Sequence, residues 1–169
     1  MGIRTIVSTA TLLAGLALHP AAEAQNPIEI EVLALHSGFT DDVSIQIRNK
    51  FVGRKTDALN LKDGGNMVTA RVTIQPGAVF PWHTHPGPVL ISVVSGDFVY
   101  TLAEDCIDRW YAEGSALIDA GFGNIHSAYN PSETVVTEVI ATFLGVPDGA
   151  PVTVLAEGPD PDVCPLPSP

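Results

Sequence analysis

A two-residue hydrophobic rhythm, recurring between closely spaced turns, restricts this chain more than any other feature. Val68, Ala70, Val72 and Ile74 alternate with Thr69, Arg71, Thr73 and Gln75. Val43, Ile45 and Ile47 alternate with Ser44, Gln46 and Arg48, and Val135, Thr137, Val139, Ala141 and Phe143 make a third such face. Side chains two apart on an extended chain point the same way, so the rhythm describes strands with one face in a core. The run Val89–Val94 is apolar on both faces except for Ser92, which predicts a strand buried on both sides. Turn signals separate the runs, among them Asp63-Gly64-Gly65-Asn66, His85-Pro86-Gly87-Pro88, Ser95-Gly96-Asp97 and Asn130-Pro131. Short strands at this spacing build a sandwich or barrel. The 15 Gly and 14 Pro are spread along 169 residues, which leaves little room for long helices. The exception is a short helix expected over Pro27–Leu35, where Ile28, Val32 and Leu35 share a helical face. The expected fold is all-β and a single domain, with no repeats and no dividing linker.

Residues 1–24 read as a leader and not as fold. Arg4 supplies a positive start, Thr5 to Leu18 carries no charge, and Ala22-Glu23-Ala24 has the small-x-small pattern of a cleavage site. That layout is a secretory signal peptide. The apolar stretch falls short of the roughly 20 residues a spanning helix needs. The expectation is a periplasmic or secreted product with no membrane association after cleavage behind Ala24. Four parts follow: signal peptide 1–24, N-terminal segment 25–42, barrel 43–157 and Pro-rich tail 158–169.

Export gives the cysteines a meaning. Cys106 and Cys164 are the only two, and an oxidising compartment favours their pairing. The expected disulfide staples the Pro-rich tail to the domain. The competing expectation is a pair of buried free thiols.

Charge excludes one class of partner. Lys and Arg number 8 against 19 Asp and Glu, a net charge of −11, and cleavage removes one of each sign with Arg4 and Glu23. Phosphate contacts need clustered Lys and Arg, so nucleic acid is not an expected partner. The one locally basic stretch, Arg48, Lys50, Arg54 and Lys55, reads as a solvated loop. No Gly-x-Ser-x-Gly elbow and no phosphate loop occur, and Gly121-Phe122-Gly123 lacks the third glycine of a dinucleotide site.

Histidines carry the chemistry. His19 leaves with the leader, and His36, before Ser37-Gly38, reads as a surface or turn residue. His83-Thr84-His85 places two imidazoles on one side of an extended segment, able to converge on one ion. His126, in Gly123-Asn-Ile-His126, can add a third ligand from another strand. Three His leave coordination positions for water or substrate, the pattern of a reactive site and not a purely structural one.

The glycine framing around these histidines resembles the cupins. Their first motif, G-x5-H-x-H-x3-4-E-x6-G, is matched by Gly77, His83, His85 and Gly96, with Val89 in the Glu position. Their second, G-x5-P-x-G-x2-H-x3-N, is matched by Gly114, Gly123, His126 and Asn130, with Gly121 in place of Pro and one extra residue after Gly114. The chain resembles small exported bacterial cupins that carry a His-Thr-His-Pro-Gly-Pro segment and a C-terminal Cys-Pro. The resemblance implies a double-stranded β-helix barrel, a homodimer, and His83, His85 and His126 as ligands of a divalent Fe, Mn, Ni, Cu or Zn. Val can neither ligate nor exchange protons, so an ion bound here keeps more positive charge than with the usual Glu. Val89, Ile91 and Val93 share the inner face, and the expected pocket wall is apolar, suited to an apolar or aromatic small-molecule ligand. Aromatic candidates for that pocket are Phe80, Trp82, Phe98, Tyr100, Trp110, Tyr111, Phe122 and Tyr129. Two functions stay open: a metal-dependent, dioxygenase-like enzyme, and a non-catalytic module that binds a small molecule.

Overall fold

A computed structural model describes residues 27–166. The leader at 1–24, with His19 and the Ala24 cleavage site, lies outside the described residues. Among the described residues there are strands and no helix. One five-stranded sheet holds, in spatial order, β1 (Ile28–Gly38), β4 (Asn66–Ile74), β11 (Thr137–Val146), β6 (Val89–Ser95) and β9 (Ala116–Asp119). The second holds β12 (Val154–Leu155), β5 (His83–Thr84), β10 (His126–Tyr129), β7 (Asp97–Leu102) and β8 (Asp108–Ala112). A separate hairpin pairs β2 (Ile45–Asn49) with β3 (Asp57–Leu61).

Every pairing is antiparallel. From β4 onward the chain passes back and forth between the two large sheets, with only β7 and β8 staying in the same one. That winding is the double-stranded β-helix. The alternation in the sequence becomes burial: Val68, Ala70, Val72 and Ile74 in β4 all face inward, as do Thr137, Val139, Ala141 and Phe143 in β11. Each fully buried branched side chain of this kind stabilises by roughly 1.5–3 kcal/mol.

Three expectations are corrected. Ile28–Gly38 is the edge strand of the first sheet and not a helix, so the barrel starts within the 25–42 segment that was set apart from it. Register shifts after Val32 and after Ala34 break its two-residue rhythm, which is why Ile28, Val32 and Leu35 imitate a helical spacing. In β6 only Val89, Ile91 and Val93 are buried, while Leu90 and Val94 on the other face are exposed. Arg54 is no free loop residue: its guanidinium bridges to Asp105 at 3.1 Å and to Glu104.

Two connections close the barrel around its histidines. Asn130, 1% exposed, donates through Nδ2 to the Ile74 carbonyl at 3.0 Å and the Val135 carbonyl at 2.8 Å. It also accepts the Ser132 N–H at 3.0 Å, so it joins the end of β4 to the start of β11. Cys106 and Cys164 form a disulfide, with a Cα–Cα distance of 5.4 Å, and Cys164 is buried. Upstream of Cys164, β12 pairs with β5, and the Ala156 N–H donates to the Trp82 carbonyl at 3.0 Å. The C-terminal segment thus runs along the strand that carries His83.

Candidate metal centre

Strand register assembles the site. His83 opens β5 and His126 opens β10, and the two are directly opposed in the antiparallel pair. Opposed residues project to the same face, so His126 arrives beside His83. His85 lies two residues further along, on the same side. Ring centroids are 4.2 Å apart for His83 and His126, 4.9 Å for His83 and His85, and 5.1 Å for His85 and His126. The three candidate ligand nitrogens all lie within 4.8 Å of one another, and all three residues are buried.

Backbone carbonyls set the tautomers. His83 Nδ1 lies 2.7 Å from the Pro81 oxygen, His85 Nδ1 2.6 Å from the Val152 oxygen, and His126 Nδ1 3.2 Å from the Asn124 oxygen. A carbonyl oxygen only accepts, so each Nδ1 carries the proton and donates it. In the neutral ring this leaves the Nε2 lone pair free, the tautomer that outer hydrogen bonds impose on metal-bound histidines. Burial, reinforced by the neighbouring His126, pushes the His83 imidazole down to about 3. Burial also lowers His85, against the raising influence of Asp119. Buried imidazoles whose candidate ligand nitrogens come together are the donor set a divalent transition ion takes.

A carboxylate that no sequence motif announced stands at the edge of the group. Asp119, the last residue of β9, is 0% exposed and lies directly across from Val89 of β6. Its Oδ1 accepts the Tyr100 hydroxyl and the Asn124 amide, each at 2.8 Å. Its Oδ2 accepts the Gly121 N–H at 3.2 Å and lies 3.9 Å from His85 Nε2. Oδ1 is also 3.6 Å from His126 Nδ1. Burial, with Asp119 beside it, holds the Tyr100 hydroxyl well above its ordinary range, so it stays a donor.

The loop after Asp119 is locked to the His-x-His segment. The Phe122 N–H donates to the His85 carbonyl at 3.0 Å, and the Gly123 N–H to Thr84 Oγ1 at 3.1 Å. Gly121 has φ +61°, and a Cβ there would stand 2.0 Å from the Gly87 carbonyl oxygen. Only glycine lets these two backbones approach so closely. This is the physical reason for Gly121 where the cupin motif has Pro.

A cavity of about 70 Å³ opens onto the three imidazoles, walled by Val89, Ile91, Phe80, Phe98, Tyr100 and Phe143 among others. Val93 is buried further along β6 and lies outside this wall, a correction to the expected pocket. The space admits an ion with a few water-sized groups. It is well short of the roughly 300–1,000 Å³ of pockets for larger organic ligands, so it suits a small ligand better than an aromatic one. Of the other aromatic candidates, Trp110 and Phe122 are exposed, and Trp82 packs against Gly158. His36 sits in β1 with φ 46° and is no member of the group.

No family model matches the chain, and no curated protein matches it. Solved structures similar to it include KdgF from a Halomonas species, with 19% identity over 72% of this chain and 82% of that one and a TM-score of 0.46. The cupin-2 domain of an XRE family transcriptional regulator from Enterobacter cloacae is 14% identical over 72% of this chain and 99% of that one, TM-score 0.46. A cupin-like protein from Thermotoga maritima is 20% identical over 54% of this chain and 65% of that one, TM-score 0.47. These similarities are low, and the fold rests on the strand order and register described above.

Proposed function

We propose that this protein is an exported, cupin-type barrel that holds one divalent metal ion on His83, His85 and His126 and uses it in a dioxygenase-like oxidation of a small organic molecule. One observation carries the reading: three buried imidazoles, each with Nδ1 beside a backbone carbonyl, bring one candidate ligand nitrogen apiece within 4.8 Å of the others. When bound, a redox-active ion with open positions supplies a place where substrate and O2 meet. The chain's own residues hold and exclude. The three His bind, Val89, Ile91 and Phe143 keep water out, and Tyr100 on the cavity wall is held in place by hydrogen bonds to Asp119 and Asn124 behind it. Export is supported by the disulfide, which suits an oxidising compartment. Among the described residues no helix is long and apolar enough to cross a membrane.

The small cavity favours a second reading, a non-catalytic module that binds an ion together with one small ligand. Oxygen uptake separates the two. Protein loaded in turn with Fe(II), Mn(II), Ni(II), Cu(II) and Zn(II) is offered small phenols and diketones in an oxygen electrode. The enzymatic reading expects substrate-dependent O2 consumption with at least one redox-active ion, abolished in His126→Ala. Stoichiometric metal binding with no O2 consumption for any pairing supports the binding module and contradicts the enzyme.

A further inference from the structure

We infer that Asp119 is the fourth, anionic ligand of the metal centre, reaching the ion through Oδ2 while Oδ1 stays anchored to Tyr100 and Asn124. The inference rests on the proposed metal site and deepens it. Four observations lead there. First, Asp119 is fully buried and faces the histidines from β9. Second, its two oxygens are used unequally. Oδ1 accepts two side-chain donors at 2.8 Å, whereas Oδ2 accepts one backbone N–H at 3.2 Å and keeps lone-pair capacity. Third, Oδ2 lies 3.9 Å from His85 Nε2, the nitrogen whose lone pair is free. Donors that share an ion at about 2.1 Å stand roughly 3–4 Å apart. Fourth, three neutral imidazoles leave a divalent ion with its full charge in a buried, apolar cavity. A buried charge needs a partner, and Asp119, next to the three-His group and outside it while no ion is bound, is the buried carboxylate nearest to hand.

The register explains how this works without an acid on β6. Val89 and Asp119 are direct antiparallel partners, so both side chains project from the same face of the sheet. A carboxylate moved one strand across stays on the same inner face, beside the three histidines. Its shorter side chain is compensated by the Tyr100 and Asn124 hydrogen bonds, which hold it in one direction. The site becomes three nitrogens and one oxygen, with charge +1 in place of +2.

The test uses the full mature protein, Zn(II) and Co(II) as probes, and the variant Asp119→Asn, which keeps size and shape. A Zn(II)-minus-metal-free infrared difference spectrum of the wild type should show a shifted carboxylate stretch, absent in Asp119→Asn. The variant should bind Co(II) at least tenfold more weakly, with altered visible ligand-field bands. Adding Val89→Glu to Asp119→Asn should restore most of the affinity by returning a carboxylate from the opposing strand, which a purely structural role would not do. The infrared measurement on the wild type stands even if the variant folds poorly. A wild type that binds the ions with no carboxylate shift overturns the inference and leaves the three-His site intact. So does Asp119→Asn with affinity within twofold and unchanged Co(II) bands. A wild type that binds neither ion overturns the metal site, and the fourth ligand with it.

Discussion

Removing the crosslink between Cys106 and Cys164 gives a prediction whose size follows from the chain itself. The bridge joins residues 58 apart in sequence. Closing a loop of that length in the unfolded chain removes entropy equivalent to about 4 kcal/mol at room temperature. The double variant Cys106→Ser, Cys164→Ser should therefore lose about 4 kcal/mol, plus a smaller cost for placing a hydroxyl where Cys164 is 3% exposed. For a domain of this size that corresponds to a fall in Tm of roughly 10–15 °C. Urea denaturation followed by circular dichroism at pH 7 measures it. The denaturant slope should rise as well, because the uncrosslinked unfolded chain exposes more surface. A loss below about 1 kcal/mol with an unchanged slope would refute the loop-entropy reasoning. Two free thiols in the unreduced, denatured protein would refute the bridge itself.

Gly121→Ala should destabilise by at least about 2 kcal/mol, through an added Cβ against the Gly87 carbonyl and the positive φ; an unchanged urea midpoint would contradict the close approach described here. The metal-free protein should weaken as pH falls. His83 titrates near 3 when folded and near 6.5 when unfolded, so the unfolded chain takes up the proton first, and stability present above 6.5 is lost progressively toward 3. Between pH 7 and 5 His83 alone contributes a loss of about 2 kcal/mol, and His85, lowered by burial, adds to it in the same direction. Equal urea stabilities at the two pH values would show that these histidines are not held neutral.

What could be read from the sequence depended on how local each signal was. The rhythm of Val68, Ala70, Val72 and Ile74 is contained in one strand, and β4 has the inward face that the rhythm describes. The His83–His85 convergence is equally local, since it needs only an extended segment. Placing His126 beside them is a matter of register between β5 and β10, which spacing alone does not contain; the cupin resemblance supplied it. Asp119 was missed for the same reason. Leu117 and Asp119 share the buried face of β9, but the acid's significance depends on pairing with Val89, thirty residues earlier in the chain. In β1, two register shifts disguised an edge strand as a helical pattern. The outer face of β6 was misjudged because an apolar residue does not reveal whether anything covers it.

In the proposed function His83, His85 and His126 hold one ion together. Its most direct test is metal stoichiometry by elemental analysis after equilibration with divalent ions and gel filtration. One ion should be retained per chain in the wild type, and none in His83→Ala or His126→Ala, with the β-sheet circular dichroism spectrum preserved. A wild type that retains no ion, or variants that retain as much as the wild type, would contradict it.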